Sequence, residues 1–158
     1  MHLTSAKTMI SAFFDTSVLY AALLSSHGAS RVLLLAAFRG DLILYISTMV
    51  LLEAERNILK KAPQIADAFQ VLRERVAGQL VDPTEELIER AAQIVAAKDA
   101  PIVAAATRAG AHYLVTLDEK HLIAQREAIK AEFGVDTIRP GELLAVLRSD
   151  TAKKPRAD

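Results

Sequence analysis

Leu42-Ile43-Leu44-Tyr45-Ile46 is an apolar run unbroken by any polar residue. A strand with one wet face alternates apolar and polar residues, whereas a continuous run is buried on both faces, as in parallel sheets covered by helices. Similar short runs recur along the chain. Ser11 to Phe14 ends at Asp15, and Gln79-Leu80-Val81 is a weaker candidate. His112 to Thr116 leads into Leu117-Asp118, and Val135 to Ile138 closes the series. Helical stretches with caps and breakers lie between them. Thr16 to Ser25 closes at His27-Gly28, and Ser30 can cap Arg31 to Arg39. Ser47 or Thr48 caps a helix through Lys60, and Pro63 opens one to about Ala77. Thr84 caps a helix to about Ala97, with Glu85 and Glu86 opposing its dipole. An Ala-rich helix follows Pro101, another spans about Leu122 to Phe133, and Pro140 opens the last, to about Arg148. Strands separated by helices predict an α/β fold: a three-layer sandwich whose central, mostly parallel five-stranded sheet is flanked by helices. Residues 1–10 read as an N-terminal leader, 11–148 as one domain and 149–158 as a polar C-terminal tail.

Composition narrows the function. The 158 residues, 52% of them hydrophobic, suit one domain that needs no staple. Nineteen basic residues balance nineteen acidic ones, which counts against wrapping nucleic acid with a large basic surface. Cysteine is absent, so disulfides, thiolate nucleophiles and Cys-ligated metals are excluded, and a reducing cytoplasm is the expected location. No apolar stretch approaches the roughly 20 residues that span a bilayer. Asp15 interrupts the only apolar stretch near the N-terminus, so neither a membrane nor an export signal is expected.

In open parallel sheets, ligands bind beyond the carboxyl ends of the strands. Four acids fall on that edge. Asp15 follows the first strand, Asp118 follows the His112–Thr116 strand, Asp99 begins a helix, and Glu53 lies near the start of the helix after Leu42–Ile46. Taken singly, each has a plain explanation as a helix cap, an Asx turn or a solvated helix face. Gathered on one rim without Cys or a His cluster, they suit a hard cation, Mg²⁺ or Mn²⁺, which takes carboxylate and water oxygens. A cation is also what lets like charges share a site. Such a site polarises a phosphoryl oxygen and activates water. The hydroxyls of Thr16, Ser17 and Thr116 stand beside two of the acids and can orient ligands.

These residues resemble the motifs of the PIN domain family. Phe13-Phe14-Asp15-Thr16-Ser17 is similar to its opening motif, and Ser47 to Glu53 to its second. Asp99-Ala100-Pro101-Ile102-Val103-Ala104-Ala105-Ala106 is similar to the third, and Leu114 to Asp118 to the fourth. The acids follow one another at spacings of 38, 46 and 19 residues, and the resemblance covers residues 11–148. Ser17 stands where Asn often follows the opening Asp-Thr. The resemblance implies Mg²⁺- or Mn²⁺-dependent hydrolysis of phosphodiester bonds in RNA. A lone domain of this size resembles the VapC-like ribonuclease toxins of type II toxin–antitoxin pairs, which implies a cognate antitoxin as partner. By motif, Asp15, Glu53, Asp99 and Asp118 would be the metal-binding acids, Thr116 would share in catalysis, and Thr16 and Ser17 would support them.

Arg56 and Asn57 lie three and four residues after Glu53, on the same helix face, where they can hold it or approach a phosphate. Lys120 and His121 follow Asp118 closely, where they can touch RNA or serve as plain loop residues. Lys60, Lys61, Arg73 and Arg75 form a loosely basic track. The Leu33-Leu34-Leu35 helix, with Val32 and Phe38, should be mostly core, with a stripe left for a homodimer or an antitoxin. Two rivals remain. One is a non-catalytic PIN-like interaction module whose acids only cap helices. The other is a receiver-type phosphoacceptor, which would need an acidic pair after the first strand and an Asp after the third, where this chain offers Asp82. Setting the four acids aside leaves 15 acids against 19 bases, so the remainder is mildly basic.

Overall fold

The structure, a computed structural model, describes residues 8–152, with side chains to residue 150. Residues 1–7 of the expected leader and 153–158 of the expected tail lie outside the described residues. Four strands form the sheet: β1 (Ser11–Phe14), β2 (Ile43–Tyr45), β3 (Tyr113–Val115) and β4 (Asp136–Ile138). They lie in the order β2-β1-β3-β4, and every pairing is parallel. Phe13 pairs with Tyr45 on one side and Leu114 on the other. All four residues of β1 are buried, as a central strand covered on both faces requires.

The helices are α1 (Thr16–Leu24), α2 (Ala29–Phe38), α3 (Thr48–Lys61), α4 (Ala66–Arg75), α5 (Glu85–Ala91), α6 (Ala100–Ala109), α7 (Arg126–Phe133) and α8 (Pro140–Ala152). Helix α1 packs on α2 and α3, α2 on α8, and α3 on α4. Helix α6 packs on α5 and reaches β1 and β3. Its small side chains allow this closeness: Ala100, Ala104, Ala105 and Ala106 are fully buried. Phe13, Phe14, Phe69, Leu19 and Leu114 are the bulk of the core around them.

The expected fifth strand is absent. Gln79 closes a 3₁₀ turn (Ala77–Gln79), and Leu80 makes only an isolated parallel bridge to Ile46. Pro83 lacks an N–H and biases the preceding residue, so the chain leaves the sheet edge after one residue. Asp82 is engaged elsewhere: its carboxylate accepts from the Thr48 backbone N–H at 2.8 Å and from Thr48 Oγ1 at 2.9 Å. The strand and the free carboxylate that a receiver-type phosphoacceptor would need are both missing at this point.

Several helix boundaries also differ: the helices expected from Pro63 and from Leu122 begin as 3₁₀ turns at Pro63–Ile65 and Ile123–Gln125. Helix α5 ends at Ala91 rather than near Ala97, because the chain must reverse for α6 to pack on α5; Val95 is buried in that reversal. Gly28, not Ser30, sits at the N-cap of α2, and Ser30 is buried inside the helix. Helix α8 runs on to Ala152, so residues 149–152 of the expected tail are helical. The C-terminal carbonyls of α1 are satisfied from outside: Arg31 Nε donates to Ala22 O, and Arg31 Nη2 to Leu23 O at 3.1 Å. Among the described residues no single helix is long and apolar enough to cross a membrane; the bent pair α1–α2 has that composition jointly.

Candidate active site

Sheet order fixes where a site can form. From β1 the chain moves to β2 on one side, then crosses to β3 on the other. The reversal lies between β1 and β3, and a crevice opens beyond their carboxyl ends. Asp15 directly follows β1, and Thr116 directly follows β3. The Asp15 backbone N–H donates to Val115 O at 3.0 Å, which extends the pairing by one residue and sets the two side chains close together.

Asp15 is held on both carboxylate oxygens. Oδ1 accepts from the Thr16 backbone N–H at 2.7 Å, the N-cap bond of α1. Oδ2 accepts from Thr116 Oγ1 at 2.7 Å and from Ser17 Oγ at 3.2 Å. Burial pushes the Asp15 carboxyl above its ordinary value of 3.8, hydrogen bonds from Thr116, Thr16 and Ser17 oppose this, and the charge of Asp99 adds to the rise. Capping and clustering therefore act on the same side chain.

The other acids join through hydroxyls. Thr16 Oγ1 donates to Glu53 Oε2 at 2.9 Å, tying α1 to α3. Ser47 at the N-cap of α3 accepts from Val50 N–H, and with Asp82 it fixes the helix that carries Glu53. The Asp118 backbone N–H donates to Thr116 Oγ1 at 3.0 Å, and the Leu117 N–H to Ser17 Oγ at 3.2 Å. A continuous chain thus runs Glu53–Thr16–Asp15–Thr116–Asp118. Asp99 sits at the N-cap position of α6 but makes no side-chain capping bond. Only 8% exposed, it has an Oδ2 with no hydrogen bond. Lys98 Nζ stands 3.5 Å from that oxygen, on a side chain that is 63% exposed. A buried carboxylate oxygen without a hydrogen bond is costly unless a cation meets it. The donor set, oxygen-rich and with one oxygen lacking a hydrogen bond, fits a divalent metal ion.

One residue of the cluster escaped the sequence reading. His121, expected as an RNA contact or a plain loop residue and not among the acids, brings an imidazole nitrogen to within 4.8 Å of one oxygen each from Asp99 and Asp118. Its Nδ1 lies 3.3 Å from Asp118 Oδ1, and its backbone N–H donates to the same oxygen at 2.9 Å. The offset of three residues from Asp118 was the available signal. Arg56 and Asn57 do not hold Glu53; Arg56 is exposed and Asn57 half-buried, and neither side chain makes a hydrogen bond or ion pair among the described residues. Of the basic track, Arg73 is paired with Glu55 at 3.1 Å, and Arg75 lies 4.7 Å over the Phe38 ring. Lys60 and Lys61 occupy the last turn of α3, opposing its dipole. His112 stands at the opposite end of the sheet, where Nδ1 accepts from the Ser11 N–H at 3.0 Å. Leu33 and Leu34 are core, and Leu35 is 45% exposed.

Solved structures share this architecture. PAE2754 from Pyrobaculum aerophilum is 21% identical, with a TM-score of 0.57 over 89% of this chain and 91% of that one. VapBC2 from Rickettsia felis, bound to a DNA fragment from its promoter, is 19% identical, with a TM-score of 0.53 over 82% of this chain and 98% of that one. FitAcB from Neisseria gonorrhoeae is similar to the same extent: 19% identity, a TM-score of 0.53, and 82% and 98% coverage. No curated protein sequence matches the chain. The family described as PIN domain matches residues 11–120, a span that holds all four acids and both hydroxyl-bearing strand ends. By that match the chain belongs to the PIN domain family.

Proposed function

We propose that the protein is a Mg²⁺- or Mn²⁺-dependent endoribonuclease and the toxin of a toxin–antitoxin pair, acting in the cytoplasm. One observation carries the reading: the buried Asp99 Oδ2 that lacks a hydrogen bond, beside acids already organised by Thr16, Ser17 and Thr116. A capping role does not account for that oxygen, because Asp99 makes no capping bond to α6 and the Lys98 ammonium 3.5 Å away is on a largely exposed side chain. This favours a cation site over the non-catalytic module. The fold shared with VapBC2 and FitAcB supports the toxin assignment.

Asp15, Glu53, Asp99 and Asp118 would hold the cation. When bound, it would polarise a phosphoryl oxygen and lower the pKa of a water molecule. The chain's own part is positional. Thr116 fixes Asp15 and the Asp118 backbone together, Thr16 fixes Glu53, and Ser17 ties Asp15 to the Leu117 loop. With four acids gathered in one cleft, the remaining 15 acids and 19 bases give a mildly basic surface for RNA. Recognition would then lean on shape and on the metal site rather than on phosphate contacts alone.

The test is cleavage of RNA by the purified protein in Mn²⁺, with and without EDTA, beside Asp15→Asn. Cleavage that requires metal and fails in Asp15→Asn is expected, and equal cleavage in all samples would defeat the reading. Expression in a bacterium should arrest growth, and expression of Asp15→Asn should not; arrest by both removes the toxin assignment.

A further inference from the structure

We infer that Asp99, Asp118 and His121 form a mixed oxygen–nitrogen donor set for a divalent transition-metal ion, with the His121 imidazole biasing that position away from Mg²⁺. The inference rests on the metal-dependent reading above and specifies which ion part of the site favours. One ligand atom from each of the three lies within 4.8 Å of the others. Donors about 2.1 Å from one ion are up to about 4.2 Å apart, so closure needs side-chain shifts below about 1 Å.

Two independent features point to a ligand. The first is Asp99, 8% exposed, whose Oδ2 makes no hydrogen bond. Its charged neighbour Lys98 is a poor substitute for an ion, because a largely exposed ammonium at 3.5 Å is weakly held and well solvated. The second is the His121 ring. Asp118 Oδ1 already receives the His121 backbone N–H at 2.9 Å, so the local turn is complete without the imidazole. The ring, although 39% exposed, nevertheless keeps Nδ1 3.3 Å from the same oxygen. The other two acids differ. Asp15 and Glu53 are tied to the hydroxyls of Thr116, Ser17 and Thr16 and to the Thr16 backbone N–H, and no histidine is among these partners. Mg²⁺ is served by carboxylates and water and gains little from imidazole, whereas Mn²⁺ accepts imidazole beside carboxylates and the later first-row metals favour it more strongly. The cleft therefore has an oxygen-only part around Asp15 and Glu53 and a mixed part around Asp99, Asp118 and His121.

Calorimetry of the full chain with Mn²⁺, Ni²⁺ and Mg²⁺, for wild type and His121→Ala, tests this. The substitution keeps the backbone N–H, so Asp118 stays in its turn. His121→Ala removes a donor outright and is expected to weaken Mn²⁺ and Ni²⁺ by at least about 10- to 100-fold, the cost of losing a ligand's supporting partner, with a much smaller change for Mg²⁺. Pulsed EPR of bound Mn²⁺ should show nitrogen coupling in the wild type that is lost in His121→Ala. No nitrogen coupling in the wild type, or equal losses for Mg²⁺ and Mn²⁺, would overturn the assignment and leave metal-dependent cleavage standing. Nitrogen-coupled Mn²⁺ in a protein that cuts no RNA with any of these metals would retain the site and remove the nuclease reading.

Discussion

Thr116 Oγ1 donates to Asp15 Oδ2 at 2.7 Å between residues 101 positions apart, and the same hydroxyl accepts from the Asp118 backbone N–H at 3.0 Å. Thr116 is fully buried, so one hydroxyl joins the ends of two strands and two of the acids. Thr116→Val keeps the shape and removes the hydroxyl. It should lower stability by about 1–2 kcal/mol and Mn²⁺ affinity about 10- to 100-fold. Thr116→Ser should retain most of both. Urea unfolding and calorimetry check the pair; an Mn²⁺ affinity unchanged in Thr116→Val would show that the hydroxyl does not organise the acids.

Asp15 gives a pH dependence with a definite sign. Its carboxyl is raised above 3.8, chiefly by burial, so in the window above 3.8 the folded state binds more protons at this site than the unfolded chain. The stability it contributes is full below 3.8 and is lost as pH rises through the raised value. In metal-free protein, wild type should therefore lose stability relative to Asp15→Asn as pH rises from about 4 to about 7. Mn²⁺ should narrow the gap by binding only the wild-type folded state. Urea midpoints of both proteins, with and without metal, measure it, and parallel curves would contradict it.

Asp82 acts on the site from a distance. Its carboxylate takes two donors from Thr48, at the first turn of the helix that carries Glu53. Asp82→Ala should cost about 1 kcal/mol, as lost N-caps do, and lower the Tm by about 2–4 °C. Asp82→Asn should recover most of it. A thermal melt of each variant decides, and a wild-type Tm in Asp82→Ala would mean that Ser47 caps α3 sufficiently alone.

Ala105 tests the packing of α6. It is fully buried in the helix that lies against β1 and β3. Ala105→Leu should destabilise by about 1–3 kcal/mol through overpacking. Ala109, near the end of the same helix, is only half-buried against the core, so Ala109→Leu should cost less than Ala105→Leu. Chemical denaturation of the two variants compares them directly, and equal effects would show that α6 is not closely packed.

Much of the architecture was legible because its signals are local. The apolar runs at Ser11–Phe14 and Leu42–Ile46 named their strands, and Ser47 and Thr84 marked helix starts that the structure retains. Gln79–Val81 misled because its apolar pair resembles a strand, while the neighbouring Pro83 and the pull of Asp82 toward Thr48 end the pairing after one bridge. Glu53 could be placed on the carboxyl edge from sequence, but its bond to Thr16 could not, since that depends on how α1 crosses α3. His121 carries only one local signal, its offset of three residues from Asp118, and its place in the cluster depends on Asp99 being folded against it.

The amino-acid sequence by itself determined the element types and put four acids at strand ends and helix starts, because period, caps and breakers act within a few residues. Only the tertiary structure decided which of those acids touch. Sheet order set β1 beside β3, the register brought Asp15 to Thr116, and the return of α6 brought Asp99 to Asp118 and His121. Contacts between residues so far apart depend on the packing of the whole core, which no local pattern encodes.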